Sequence, residues 1–341
     1  MKSNRHKIQK PLILILLALF IACEDKMNSN NESSEEVNQN TVVWGEITKE
    51  DPKVFAASDV TQSTKDLTLK WIKVASDAWG NYGPVEVWIV GSDKNAVIAL
   101  DKEWCDRRTS IDPKWNTGWD CANGDPYNSG SGWSPFYRYV NDGGAAVSTY
   151  RRDYFDYHFM TITMSAKYPS PEEEDYKPVT MHEYFHIYQH AHISDIDSNG
   201  DRSKRKNKNG GEGKPWFAEG GAEYMAQLLY SKQQGVRQGY LKETMSQKYN
   251  TVADYKSFGK KLNQLSYSDP VNAYDIGSWF IAYLIHLSSE KAFRVDFYTD
   301  LNRLGFDASF AKHFGKDPES LISDFDLFLN KGLAEGLKII P

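Results

Sequence analysis

The segment that most restricts how this chain can fold is His182-Glu183-Tyr184-Phe185-His186. On a helix, residues four apart share a face. A helix here stands the two imidazoles side by side, at the separation one zinc ion needs. Glu183 lies next to them, placed to take a proton from a water that the metal has acidified. The flanks suit a helix: Pro178 fits a first turn, and Val179, Met181, Phe185 and Tyr188 offer apolar surface to a core. The competing reading is a surface helix with a chance histidine pair.

A catalytic zinc needs a third protein ligand and leaves its fourth position to water. Downstream, Pro215-Trp216-Phe217-Ala218-Glu219-Gly220-Gly221-Ala222-Glu223-Tyr224-Met225 reads as a helix that continues through Leu228 and Leu229. Glu219 and Glu223 are again four apart and face one way. Gly220 and Gly221 between them each cost about 1 kcal/mol against alanine in a helix interior. A helix accepts that cost where something must approach its backbone closely, and the helix of His182 and His186 is the expected neighbour. An amphipathic helix with two solvated glutamates is the alternative.

Taken together, the two segments resemble the gluzincin metallopeptidases. The phrase Trp216-Phe217-Ala218-Glu219-Gly220-Gly221-Ala222-Glu223-Tyr224 is similar to the W-x-x-E-G-x-A-E-Y signature of one gluzincin branch. The resemblance implies that His182, His186 and Glu219 bind one zinc, that Glu183 is the general base, and that Glu223 orients a ligand histidine from behind. The same pairing looks like the catalytic helices of bacterial collagenases. That likeness covers only the two helices, and the chain is too short for the two-part collagenase module, so collagen specificity does not transfer. Gluzincins of the aminopeptidase branch place an oxyanion-binding tyrosine in a Y-x-x-G context before a long apolar helix. Tyr274, in Ala273-Tyr274-Asp275-Ile276-Gly277, matches it, with a packing aromatic at a helix start as the alternative. The G-x-M-E-N motif of classical aminopeptidases is absent, so trimming from the amino terminus is not implied.

His192 is a rival third ligand, ten residues after His182, where the metzincin pattern puts its last histidine. That pattern needs a sharp turn at a central glycine, and Gln189 stands there instead. His190 continues the stripe a further turn away and reads as a neighbour of the site.

The amino-terminal residues read as an export signal. Lys2, Arg5, Lys7 and Lys10 precede an apolar run from Leu12 to Ala22, too short for the roughly 20 residues that cross a bilayer. Ile21-Ala22-Cys23 resembles a bacterial lipobox, with Phe20 departing from its usual leucine, so Cys23 is the expected lipid acceptor and the membrane a partner through that lipid. Residues 24–40 are nearly all polar and read as a disordered tether. Removing residues 1–22 leaves 36 basic against 46 acidic residues, a formal charge of −10, which does not favour nucleic acid as a partner. Cys105 and Cys121 remain as an even pair in an exported chain, and read as a disulfide.

Elsewhere, apolar spacing predicts helices over 64–79 and 95–104, and an alternating strand over 84–91 with Val85, Val87 and Ile89 facing inward. Residues 105–145 read as loop; Trp115, Trp119 and Trp133 there form either a recognition surface or the core of a stapled loop. Residues 155–165 read as a strand, and by analogy with zincins Thr161 to Ser165 would pair with substrate backbone along an edge. Asp195, Asp197, Asn199 and Asp201 resemble the first half of a calcium-binding EF-hand loop, but Lys206 occupies the twelfth position where glutamate belongs, so a solvated turn competes with a calcium site. Residues 204–213 read as a flap. Helices are expected over 274–288, 291–304 and 318–333.

The expectation is therefore an α+β, zincin-like fold: signal at 1–22, tether at 23–41, a mixed α/β part at 42–192 ending in the motif helix, and an all-α part at 193–341 carrying the glutamate. The expected activity is zinc-dependent hydrolysis of peptide or protein substrates. A silent surface adhesion protein on the same fold, or a zinc hydrolase of another amide such as a cell-wall peptide, would use the same residues.

Overall fold

Two strands without an exposed residue organise the first half of the chain. The computed structural model describes residues 46–150, 155–193 and 214–341, all within one compact unit, Thr41–Pro341. Cys23, the segments 1–22 and 23–41, the segment with Asp195, Asp197, Asn199 and Asp201, and residues 204–213 lie outside the described residues. The order is β1 (Glu46–Ile47), β2 (Lys53–Ala56), α1 (Gln62–Trp79), β3 (Tyr82–Gly83), β4 (Val85–Val90), α2 (Lys94–Ile111), the short α3 (Thr117–Asp120) and α4 (Tyr137–Asn141), β5 (Ala145–Tyr150), β6 (Phe159–Ser165) and α5 (Tyr176–Ala191). β1 and β3 form a separate two-stranded ribbon. The main sheet has the order β2-β4-β6-β5, the first three strands parallel and β5 antiparallel at the edge.

Parallel strands are covered on both faces, and this changes the reading of β4. Its expected outward face is buried: Trp88 stacks on Phe55 and meets Trp104 edge-on, and Glu86 is 1% exposed. The carboxylate of Glu86 is tolerated there because Arg107 donates to it twice, at 2.8 and 2.6 Å, and Arg108 pairs with its other oxygen. Burial opposes its ionisation, and Arg108 and Arg107 hold its pKa below the usual value nonetheless. Cys105 on α2 and Cys121 are bonded, with Cα atoms 5.3 Å apart. Trp115 in that stapled segment is buried against Trp104, Phe155 and Tyr150, so it forms a small core; Trp133 is exposed, and the Trp119 side chain is outside the described set.

The remainder of the described chain is helical: α6 (Pro215–Ser231), α7 (Tyr240–Lys248), α8 (Thr251–Phe258), α9 (Ala273–Leu287), α10 (Phe297–Leu304), α11 (Phe306–Phe314), α12 (Pro318–Leu329) and the short α13 (Leu333–Gly336). α6 carries proline at its first turn, and α12 is capped by Asp317 accepting from Ser320 N at 2.9 Å. The expected helix over 291–304 is not one α-helix. A π-helical turn, Ala292–Asp296, precedes α10, and within it the Arg294 carbonyl accepts from the Tyr188 hydroxyl of α5. No helix among the described residues is long and apolar enough to cross a membrane.

Of the two glycines of α6, Gly221 faces the motif helix as expected, whereas Gly220 faces a different neighbour. A Cβ on Gly220 would lie 2.3 Å from the backbone carbon of Gly277, and one on Gly277 would lie 2.4 Å from the Trp216 carbonyl oxygen. At Gly220, therefore, α6 crosses α9 with backbone against backbone. Gly221 faces the Phe293 ring at 2.9 Å and, at ordinary contact distance, Gln189 and Phe185 of α5. Gly220→Ala would gain about 1 kcal/mol of helix propensity, but overpacking typically costs about 1–3 kcal/mol, and here a rigid backbone is the obstacle. The expected result is a net loss of stability and a lower melting temperature by calorimetry; an unchanged or raised Tm contradicts this packing.

Candidate metal centre

α5 is buried on nearly every side, because β5, β6 and α1 pack against it as well as α6. Its His182 and His186 face α6. The Nε2 atoms of His182 and His186 are 3.1 Å apart, and Glu219 Oε2 lies 3.3 and 3.0 Å from them. Those three edges match the edge of a tetrahedron with metal–ligand bonds of about 2.0–2.1 Å, roughly 3.3 Å.

The hydrogen-bond pattern supports the same conclusion. His182 Nδ1 donates to Glu223 Oε2 at 3.0 Å, and His186 Nδ1 donates to the Gln189 side-chain oxygen at 2.7 Å. The Gln189 amide is oriented by its nitrogen, which donates to the Ala218 carbonyl at 3.0 Å. With protons on both Nδ1 atoms, two Nε2 lone pairs and a carboxylate oxygen converge on one point. Three acceptors brought together in this way call for a cation, and His182, His186 and Glu219 are the group able to hold a metal ion among the described residues.

Electrostatics press positive charge onto this point. Burial alone would lower the His182 imidazole, but hydrogen bonds to Glu219 and Glu223 push it up to about 10, and Glu219 raises His186 in the same way. Burial opposes the ionisation of Glu219, and the two imidazoles reverse this and hold it well below the usual carboxylate range. A metal ion meets the same demand in place of imidazolium protons.

The structure brings Glu183, His182, His186, Glu219, Glu223 and Tyr274 together around one cleft of about 400 Å³. Glu183 is 6% exposed and lines the cleft, with no hydrogen bond to it among the described residues. Burial raises its pKa, Glu219 adding to this and the imidazoles and Arg138 opposing it. The Tyr274 ring lies 5.9 Å from that of His182 and nearly parallel to it; burial and Glu219 keep its phenol protonated, well above its usual pKa. His190 lines the cleft as a neighbour, 2.7 Å from Thr149 of β5. His192 is elsewhere: its Nδ1 donates to the Tyr188 carbonyl at 2.7 Å and its ring packs on Tyr188.

Thr161–Ser165 does not form an edge. β6 has β4 on one side and β5 on the other, so the open strand is β5, whose Ala145, Ala146 and Val147 line the cleft. Three contributors were not read from the sequence. Gln189 had a usable signal, since it lies three residues after His186 on the same helix face. Tyr267, whose hydroxyl donates to Glu219 Oε1 at 2.6 Å, and Lys248, 2.9 Å from Glu223 Oε1, come from segments with no periodic relation to the motif.

No known protein family, curated protein or solved structure matches the chain. The arrangement of donors therefore carries the reading. One metal ion per chain is expected on elemental analysis. Glu219→Ala should weaken binding by more than the roughly 10–100-fold typical of losing an outer-shell partner, while His192→Ala should leave it intact. The reverse pattern would move the third ligand to His192.

Proposed function

We propose that this chain is a zinc-dependent metallopeptidase of gluzincin type on a zincin-like fold, exported and anchored by lipid at Cys23. The observation that carries the reading is the meeting of His182, His186 and Glu219 with an unbonded Glu183 in one open cleft. Two imidazoles and one carboxylate, spaced for a tetrahedron, suit zinc with one position free. Zinc, when bound, polarises a carbonyl and acidifies water to a pKa of roughly 7.

The chain's own groups supply the rest. Glu183 faces the cleft as a proton acceptor: it takes a proton from the attacking water and returns it to the amine nitrogen as the carbon–nitrogen bond breaks. The Tyr274 phenol, protonated at neutral pH, donates to the carbonyl oxygen as negative charge gathers there. The free edge of β5 offers backbone hydrogen bonds to an extended peptide. The cleft follows α5 from Val179 to His190, roughly 17 Å at about 1.5 Å per residue, enough for about five extended residues. Such a length favours cutting within chains. The Cys105–Cys121 bond supports export to an oxidising compartment.

The test is cleavage of a mixed peptide library. Glu183→Gln should keep the fold and metal while turnover falls by about 10²–10⁴, the usual contribution of a positioned base. Tyr274→Phe should cost about 10²–10³. Both losses should fall on kcat more than on KM, because each contact strengthens in the transition state. If Glu183→Gln cleaves as fast as wild type, the base assignment is wrong. If the wild type binds zinc yet cleaves nothing, a binding or adhesion role takes its place.

A further inference from the structure

Lys248 closes α7 and reaches behind the two histidines. Its Nζ donates to Glu223 Oε1 at 2.9 Å and to Asp275 Oδ1 at 2.8 Å, with the side chain 17% exposed. Glu223 Oε1 also accepts from Gln227 at 2.9 Å, which leaves Oε2 to His182 Nδ1 at 3.0 Å. Asp275 follows Tyr274 at the start of α9, and its second oxygen accepts from Asn272, the residue that caps that helix, at 2.9 Å. One ammonium thus touches both the carboxylate that aims His182 and the helix start that carries Tyr274.

We infer that Lys248 is a positioning residue of the metal site, an assignment that rests on the metal reading above. A carboxylate held by a single contact can swing away from its imidazole. Lys248 and Gln227 together hold Glu223 Oε1 and so fix the rotamer that presents Oε2 to His182 Nδ1. The ring of His182 is thereby held with Nε2 directed at the metal. Buried ion pairs are often only structural, and removing one partner leaves an uncompensated charge. A loss of stability alone would therefore not identify the role.

The discriminating measurement is zinc affinity, by chelator competition on the full chain, in a double-mutant cycle of Lys248→Met and Glu223→Gln, with thermal melts to confirm folding. Lys248→Met is expected to weaken zinc by about 10–100-fold. On the Glu223→Gln background the same change should cost less than about threefold, because the residue through which it acts is already disabled. Unchanged affinity in Lys248→Met, or an equal loss on both backgrounds, overturns the assignment. Should Lys248→Met fail to fold, Lys248→Gln replaces it in the same cycle: a loss of about 10-fold or more on the wild-type background that shrinks below about threefold on the Glu223→Gln background supports the role, and unchanged affinity or an equal loss on both backgrounds refutes it. A wild type that binds no zinc overturns the metal site and this inference together, whereas a zinc-binding wild type with an indifferent Lys248 overturns this inference alone.

Discussion

Glu183 and Glu219 are buried and Glu223 is largely so around two imidazoles, and the centre of the molecule is organised by that excess of negative charge. Carboxylates are rarely buried without a partner because desolvation penalises the ion. Here each has a distinct arrangement. Glu219 faces both imidazoles and is held on its other oxygen by Tyr267; Glu223 lies between His182 and Lys248; Glu183 is left facing the cleft. The division leaves the first able to hold a cation, the second holding His182, and the third open to the cleft.

That arrangement depends on how closely three helices approach. α6 lies between α5 and α9. Its Glu219 and Glu223 reach the histidines of α5, and its Gly220 lets the Gly277 backbone of α9 come near enough to bring Tyr274 to the cleft. A side chain at either glycine would push α9 outward and open the site on the Tyr274 side. The same glycine pair thus sets packing and site geometry at once, which gives it a tertiary explanation that helix propensity alone would count as a cost.

β5 completes the site from the other side. As the outer antiparallel strand of an otherwise parallel sheet, it pairs with β6 alone among the described strands and borders the cleft. An open edge is a liability elsewhere on a protein surface. Beside this cleft it is the element on which the proposed binding of an extended chain depends.

The residues His182, Glu183, His186, Glu219 and Glu223 were legible in the sequence because each pair lies within one helix, where a fixed 3.6-residue period decides which side chains share a face. The disulfide was legible by the same economy, with two cysteines in one stretch and no competing partner. Order between elements has no such local code. The burial of Glu86 and Trp88 on the second face of β4, the interior place of β6, the edge place of β5, and the partner of Gly220 all follow from which strand or helix lies beside which. Lys248 and Tyr267 belong to that same group, since their distance from the motif in sequence carries no information about their distance in space. The sequence by itself determined which side chains could meet a metal ion, because spacing along a helix is geometry. Only the tertiary structure decided what orients them and which elements wall the cleft, because those contacts arise between segments that no short-range period connects.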